Sequence, residues 1–348
     1  MRQKVFVNSL SKYRAQFMGV AIVMVMLCHN TIKVPDNLAT LRMVLSSMCQ
    51  CGVDIFMLLS GLGLYYSFQR NPDILGFWKK RFTKILIPYI IVAVGYAFVY
   101  VGYLKRATVA EYLWEYSLIS FFVDAALRIW FVAAILFLYG IFPVLYNGLR
   151  RSTKGFFYAC CGVIIGCITI SYLPLGKVII IINEIFVSRI PAFMVGMVIA
   201  KLLKENKQPA LPLWCVAVGF PMIAAILVCV ILSGAENWWT IARLLFLPFV
   251  LFGMLLLGRG MDQRRESKRK VNLFAFLGGI TFELFLLHDK ILATINDFLY
   301  LFRMNPIFLS VCANILAIGL SVIGAWILHR FVEFLTTRRV KAKPAKAK

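Results

Sequence analysis

Five ionisable side chains lie within long apolar stretches of the sequence and are the first candidates for chemistry: His29, Asp54, Arg189, Arg243 and His288. A charged group inside a bilayer is costly, and such residues commonly mark a functional site. An imidazole can act as a general base or accept an acyl group, and a carboxylate can orient that imidazole. A guanidinium can bind an anion or stabilise developing negative charge. These residue types could therefore support proton transfer, acyl transfer or anion binding.

The position of each residue along its apolar stretch predicts that all five lie in one layer. Because a helix rises about 1.5 Å per residue, His29 is expected about two-thirds of the way toward the outer face of the membrane. Asp54 is expected within about one turn of the same depth. Arg189, Arg243 and His288 also fall in the outer halves of their stretches. This convergence predicts a polar cavity that opens outward.

Each of these residues also has a structural alternative. A buried histidine can simply satisfy a hydrogen bond, and Asp54 can pair with an arginine to hold two helices together. Arg189 and Arg243 can extend toward the lipid headgroups. From the residue types alone, a transport pathway and a catalytic site therefore both stay open.

The composition indicates that membrane-spanning helices position these residues. Of the 348 residues, 61% are hydrophobic and 15% are charged, and the mean hydropathy is +0.83. These values exclude a single soluble domain, a disordered chain, a fibrous protein and a conventional nucleic-acid-binding protein. Apolar stretches of about 20 residues recur along the chain, which predicts an all-α, polytopic membrane protein of about ten transmembrane helices. The predicted spans are Ala15–Ile32, Ser46–Phe68, Ile85–Leu104, Ile129–Gly148, Gly155–Leu173, Ile181–Leu203, Leu211–Ser233, Thr240–Leu257, Leu273–Ile295 and Phe308–His329.

The positive charges are distributed unevenly among the predicted loops. Lys and Arg number 38 against 15 Asp and Glu, a formal net charge of +23. If the N-terminus is cytoplasmic, most of these cations lie in inner segments, as expected from the positive-inside rule. The outer loops then hold only Lys33, Arg42, Lys105, Arg106, Arg128, Lys177 and Arg303. The distribution predicts that both termini are cytoplasmic.

The chain is expected to form one membrane domain, residues 1–335, followed by a basic and disordered cytoplasmic tail, residues 336–348. Residues 107–128 alternate aromatic and charged side chains and are expected to lie along the membrane interface. The nine cysteines lie in or beside apolar stretches without the spacing of a zinc site. We therefore expect them to be small packing residues, and we expect no metal.

Several short motifs occur in the order typical of one family. Residues 52–61, GVDIFMLLSG, strongly resemble the GVDIFFVLSG stretch of the integral-membrane acyltransferase 3 family. The segment that ends at His29 resembles the first helix of that family, and residues 77–89 resemble its basic FxxRR stretch. The other matches are a WF…Y helix at residues 130–139, an R-x-P-x-F-x-x-G pattern at residues 189–196 and an LG…YLxH ending at residues 277–288. Together the matches cover roughly residues 14–330.

Members of this family transfer an acyl group, usually acetyl, from acyl-CoA to sugars of exported or surface glycans. The resemblance implies the same activity for this chain in a bacterial cytoplasmic membrane, with acyl-CoA as co-substrate and no bound cofactor. The implied partners are the lipid bilayer, acyl-CoA and a glycan or lipid-linked sugar acceptor, and no nucleic acid. The resemblance also implies that His29 is the essential histidine. By analogy with other acid–histidine pairs, we expect Asp54 to orient its imidazole.

The remaining candidate site residues fall into two groups. Cations near the predicted inner side are expected to bind the phosphates of acyl-CoA, because phosphate favours charged donors: Arg14, Lys80, Arg81 and Lys84. Four other residues are expected to contact the acceptor or to stabilise the transition state: Arg189, Arg243, Glu283 and His288.

Two positions depart from the family pattern. Met18 stands where the family usually has a basic residue, about three helical turns before the essential histidine. Arg14 lies one turn earlier on nearly the same helix face, and its long side chain could take over that role. Lys80 replaces the first arginine of the FxxRR stretch, which keeps the charge and loses bidentate geometry.

Two other functions stay open from the sequence. A glycan or lipid-linked sugar transporter would use the same polar groups to line a path, and it would predict discontinuous helices and an internal repeat. No internal repeat is visible in the sequence. A non-catalytic relative of the acyltransferases is the second possibility, because Met18 departs from the pattern. Acyl-CoA hydrolysis or acyl transfer by the purified protein would separate both from an enzyme.

The charge distribution yields a prediction about topology. Reporter fusions at Lys348 should give a cytoplasmic signal, and fusions within residues 107–128 should give an external one, because cations are retained on the inner side. A cytoplasmic signal from residues 107–128 would contradict the predicted spans and would move His29 to the other side of the membrane.

Overall fold

The computed structural model describes residues 4–207, 209–234, 238–264, 272–299 and 306–341. These residues are almost entirely helical. The helices of the first half are α1 (Ser9–Lys12), α2 (Arg14–Cys28), α3 (Asp36–Cys49), α4 (Gly52–Arg70), α5 (Ile74–Ala97), α6 (Val109–Glu115), α7 (Ser120–Asp124) and α8 (Trp130–Arg151). Those of the second half are α9 (Thr153–Tyr172), α10 (Lys177–Ile185), α11 (Ile190–Lys204), α12 (Leu213–Ser233), α13 (Trp238–Arg264), α14 (Leu273–Gly279), α15 (Thr281–Leu299) and α16 (Pro306–Lys341).

Short irregular elements complete the fold. A π-helical turn at Phe98–Tyr103 continues α5, and a 3₁₀ turn at Val187–Arg189 joins α10 to α11. Two three-residue strands, β1 (Lys4–Phe6) and β2 (Ala210–Pro212), pair antiparallel and tie the N-terminal segment to the start of α12. Helices α6 and α7 lie within the loop predicted along the interface, and a capping box between Thr108 and Glu111 begins α6.

Eight helices of the described chain are long and apolar enough to cross a membrane, when α3 with α4, α5 with the π-helical turn, and α10 with α11 are each counted as one nearly continuous helix. They carry eight of the ten predicted spans, and the prediction of an all-α polytopic membrane protein is confirmed. The first and ninth predicted spans differ from the structure, and both differences affect the candidate site.

The first predicted span ends earlier than expected. Helix α2 has 15 residues, which is about 22 Å at 1.5 Å per residue and less than the roughly 30 Å of a hydrocarbon core. It ends at Cys28 because the side chain of Asn30 bonds the carbonyl of Leu27 and the next residues bond helix α16 instead. The backbone N–H of Thr31 donates to Asn314 over 3.3 Å. His29 therefore follows the end of a helix, whereas the sequence analysis placed it inside one.

The ninth predicted span is broken into α14 and α15. The hydroxyl of Thr281 donates to the carbonyls of Leu277 (2.9 Å) and Gly278 (3.0 Å), which closes α14 just before α15 begins. Helix α15 carries four charged residues and is not among the eight helices that are long and apolar enough to cross a membrane. A polar, interrupted helix is tolerated at membrane depth where it is buried in protein or lines a cavity, rather than where it faces lipid.

Two segments that lie outside the predicted spans are helical in the structure. Asp73 caps the first turn of α5 by accepting a hydrogen bond from the backbone N–H of Gly76 over 3.0 Å. The basic residues that follow are therefore held on one helix. At the other end of the chain, residues 336–341 of the predicted tail continue α16, because no proline occurs before Pro344. Residues 342–348 lie outside the described residues.

Glycines set the closest helix contacts. At the crossing of α4 and α11, a Cβ atom on Gly61 would overlap the backbone carbonyl of Phe193, and one on Gly196 would overlap that of Leu58. Such small residues let helix backbones approach closely in membrane proteins. The two motifs that contain these glycines, residues 52–61 and 189–196, therefore pack directly against each other.

The same arrangement joins α2 to α14. A Cβ atom on Gly19 would overlap the backbone carbonyl of Phe274, and one on Gly278 would overlap that of Ala15. This contact places α2, which ends just before His29, beside the interrupted ninth segment. The nine cysteines, all within the described part of the chain, are free thiols in or beside the helices.

We expect Gly196→Ala to lower the midpoint of thermal unfolding of the purified protein in detergent. The added methyl group must displace helix backbone, which costs about 1–3 kcal/mol. Gly140→Ala is the matched control, because a Cβ atom at Gly140 of α8 meets nothing within 4 Å. Equal midpoints for the two variants would contradict close packing at the crossing of α4 and α11.

Candidate active site

His29 and His288 form a side-chain pair between the end of α2 and the middle of α15. The Nδ1 atom of His29 lies 3.0 Å from the Nε2 atom of His288, and the ring centroids are 5.1 Å apart. His288 is buried, with 5% of its surface exposed, whereas His29 is exposed to the adjoining cavities. The pair therefore has one sheltered and one accessible ring.

The hydrogen bonds define which ring atom of each histidine carries a proton. Nδ1 of His288 lies 2.8 Å from the carbonyl of Phe285 and 3.2 Å from that of Leu284. A carbonyl can only accept, so this Nδ1 is the donor. With both rings neutral, Nε2 of His288 must accept from Nδ1 of His29. The Nε2 atom of His29 then keeps an unprotonated lone pair, as a general base requires.

The prediction that Asp54 orients the imidazole of His29 is wrong. Asp54 is 1% exposed and lies near the start of α4, where its Oδ2 is 3.5 Å from Nε of Arg189. No hydrogen bond joins it to His29 among the described residues. Sequence position indicated a similar depth for the two residues, but the side chain of Asp54 meets the 3₁₀ turn before α11. His288 is the residue that orients the imidazole of His29.

Arg189 is held in place from three sides. It is 2% exposed, its Nη1 donates to the carbonyl of Ile185, and its guanidinium lies 5.1 Å from the ring centre of Trp130. Together with the ion pair to Asp54, these contacts fix α11 against α4 and α8. The structural alternative considered for Asp54, a charge pair that holds helices together, describes this contact.

Arg243 of α13 lies near this pair without joining it. It is 7% exposed, and its guanidinium lies 5.2 Å from the ring centre of Trp239. Its Nε and Nη1 atoms are buried and have no hydrogen-bond partner among the described residues. The sequence left open whether Arg243 extends toward lipid headgroups, and the structure places it inside the helix bundle.

A cavity of about 340 Å³ connects these groups. We call it the arginine cavity, because Arg189 and Arg243 supply its charged lining. Its other polar lining residues include His29, Gln50 and Trp130. The accessible histidine and both buried arginines therefore face one space, as the sequence analysis expected for a polar cavity.

A second cavity, of about 380 Å³, contains most of the residues expected to bind the acyl donor. We call it the basic cavity. Arg14, Arg81 and Lys84 line it, whereas Lys80 is exposed on α5 and does not. Nε of Arg14 donates to the carbonyl of Leu59 over 3.2 Å, and the guanidinium passes over Gly63, where a Cβ atom would contact it.

Met18 also lines the basic cavity, one turn beyond Arg14. The position at which the family usually has a basic residue therefore faces the same space as Arg14. This arrangement is compatible with the idea that Arg14 supplies the missing cation.

Glu283 lies in the basic cavity, apart from His288. Its Oε1 is 2.9 Å from Nδ1 of His329 on α16, and both residues line the cavity. The sequence analysis grouped Glu283 with the acceptor contacts. The structure places it instead with Arg14, Arg81 and Lys84 in the basic cavity, because Glu283 and His288 point to different faces of α15.

Two aromatic rings in contact lie where the basic cavity approaches the arginine cavity. Phe131 and Phe285 both line the basic cavity, and Phe285 lines the arginine cavity as well. Their ring centroids are 4.6 Å apart, and that of Phe285 is 5.7 Å from that of His288. Phe285 is therefore shared by the two cavities.

The sequence analysis did not name His329 as a site residue, and it treated Trp130 and Tyr139 only as motif residues, although all three line these cavities. A buried Glu283 requires a partner, which could have pointed to His329, since the chain has only 3 histidines. Within the described ranges, no group of three or more His, Cys, Asp or Glu side chains is arranged to hold a metal.

The family comparison covers nearly the whole chain. The model of the acyltransferase domain of the acyltransferase 3 family matches residues 19–330. No curated protein and no solved structure matches the chain significantly. The match includes both histidines of the pair, whereas Arg14 and Met18 precede it. Taken with the membrane-spanning helices that surround the histidine pair, it establishes that the chain belongs to the acyltransferase 3 family of membrane acyltransferases.

Proposed function

We propose that this protein moves an acyl group, most simply acetyl, from acyl-CoA to a hydroxyl of a surface or exported glycan. The observation that carries the proposal is the histidine pair: His29 is exposed and borders the arginine cavity, and its imidazole pairs with the buried His288. Phe285 lines both this cavity and the basic cavity, and Phe131 packs against it in the basic cavity. A base between two substrate cavities suits transfer better than permeation.

The acyl donor is assigned to the basic cavity. Three cations line it, and one carboxylate, Glu283, opposes them. The excess positive charge favours the phosphates of CoA. Lys80 is exposed on α5, one turn before Lys84. It therefore adds positive charge to the protein surface outside the cavity. Acyl-CoA is a co-substrate in this proposal, and no bound cofactor is required.

The acyl group reaches the histidine pair past Phe131 and Phe285. The thioester carbonyl would then lie beside His29, and the acceptor hydroxyl would enter through the arginine cavity. This geometry lets donor and acceptor approach from opposite sides of one imidazole. It is consistent with a cytoplasmic donor, an external acceptor and a location in the bacterial cytoplasmic membrane.

The reaction follows from the protonation of the pair. Nε2 of His29 takes the proton of the acceptor hydroxyl as its oxygen attacks the thioester carbon. The carbon–sulfur bond then breaks, and the imidazolium returns the proton to the thiolate of CoA. His288 accepts the Nδ1–H of His29 throughout, which holds the productive tautomer. Transfer through an acyl-histidine would use the same nitrogen as the nucleophile.

We expect His29→Ala to reduce acyl transfer by the purified protein about 10²- to 10⁴-fold, the usual contribution of a general base. Transfer is measured by mass spectrometry of the acceptor together with release of free CoA. Leu27→Ala is the matched control, because Leu27 lies on the same helix end, is 46% exposed and lines neither cavity. Normal transfer by His29→Ala at matched expression would contradict the assignment.

We expect Arg14→Ala to lower activity at least about tenfold, mainly through a raised KM for acyl-CoA, because a phosphate-facing cation is lost. Met18→Arg in the Arg14→Ala background should restore part of it, because it returns a cation to the same cavity.

Lys12→Ala is the control for Arg14. It removes a cation from the same segment, but Lys12 pairs with Asp262 outside the basic cavity. Full activity of Arg14→Ala, with topology confirmed, would show that Arg14 does not replace the missing basic residue and acts in topology alone.

A further inference from the structure

Arg243 is a buried guanidinium without a counter-ion in contact. It is 7% exposed, and its Nε and Nη1 atoms have no hydrogen-bond partner in the described part of the chain. Asp54 and Glu184 act on it through space, but neither lies within ion-pair distance, and Asp54 is already paired with Arg189. A buried charge is stable only when it is paired and hydrogen-bonded. The donors of Arg243 are therefore available to a ligand.

The cavity beside Arg243 has the charge to hold such a ligand. The arginine cavity of about 340 Å³ is lined by two guanidinium groups and His29, and no carboxylate lines it. Its volume falls within the range of small-molecule sites. Arg189 is occupied by Asp54 and the carbonyl of Ile185. Of the two arginines that line this cavity, Arg243 is thus the one without an ion-pair partner among the described residues.

We infer that the acceptor carries an anionic group, a carboxylate or a phosphate, and that Arg243 binds it. The inference rests on the proposed function and specifies its substrate class. A guanidinium offers parallel N–H donors that match both oxyanions. An acceptor anchored in this way presents its hydroxyl toward His29, which lines the same cavity. A neutral sugar would leave the buried charge of Arg243 unpaired.

Binding to the purified full-length chain in detergent, without acyl-CoA, tests this inference. The probes are methyl glucuronide, which carries a carboxylate, glucose 1-phosphate, and methyl glucoside as the neutral counterpart. Tryptophan fluorescence is a suitable signal, because Trp239 contacts Arg243 and Trp130 lines the cavity. We expect saturable binding of at least one anionic probe, roughly 10- to 100-fold tighter than that of the neutral sugar. The probe that binds more tightly distinguishes a carboxylate from a phosphate.

Variants locate the binding site. Arg243→Gln should weaken anion binding about 10- to 100-fold, and Arg243→Lys should restore part of it, because the charge returns without the guanidinium fork. Arg42→Gln is the matched control. It removes the same charge from an exposed position on α3 that lines neither cavity. Thermal unfolding of each variant without ligand reports whether it is folded.

Several outcomes would overturn the inference. The first is equal binding of neutral and anionic sugars by the unaltered protein. The second is anion binding by Arg243→Gln that is as tight as that by the unaltered protein. A third result would also overturn it: the unaltered protein binds no anionic probe, and Arg243→Gln loses transfer to a neutral sugar acceptor. That result would assign Arg243 to the transition state. Acyl transfer by the unaltered protein is measured in parallel. Transfer without preference for an anion contradicts this inference alone, whereas anion binding without any acyl transfer contradicts the proposed function.

Discussion

Close approach of helix backbones at glycines is the constraint on which the rest of the structure depends. Gly61 and Gly196 bring α4 against α11, and Gly19 and Gly278 bring α2 against α14. In a membrane, helices gain little from burying apolar surface, so tight backbone contact and polar bonds hold them together. These two crossings bring Asp54 next to Arg189 and the end of α2 next to α15. The family motifs therefore describe packing contacts as much as chemistry.

The helix crossings place the buried polar residues in separate pairs. The histidine pair, the ion pair of Asp54 with Arg189, and the pair of Glu283 with His329 each give a buried ionisable group a local partner. Arg243 differs, because it is buried beside a cavity without an ion-pair partner, and two of its nitrogens lack a hydrogen bond among the described residues. A protein interior tolerates such a group mainly where a ligand completes it.

Hydropathy predicted most of the fold because the bilayer imposes one length on every spanning helix. Eight of the ten predicted spans correspond to long apolar helices. The two exceptions arise from side chain–backbone hydrogen bonds, by Asn30 after α2 and by Thr281 between α14 and α15. Hydropathy does not register these bonds, since they depend on single residues. They end or interrupt helices where the site requires backbone that is not regular.

The sequence by itself determined the helical membrane architecture, the family and the set of ionisable residues that lie within apolar stretches. Depth can be read from sequence because each residue advances a helix by a constant rise. The direction in which a side chain points around the helix bundle depends on how the helices pack. Only the tertiary structure could therefore decide that His29 pairs with His288 and that Asp54 pairs with Arg189. It likewise decided that Glu283 lies with the cations of the basic cavity, because packing and not sequence spacing selects the partner of a buried charge.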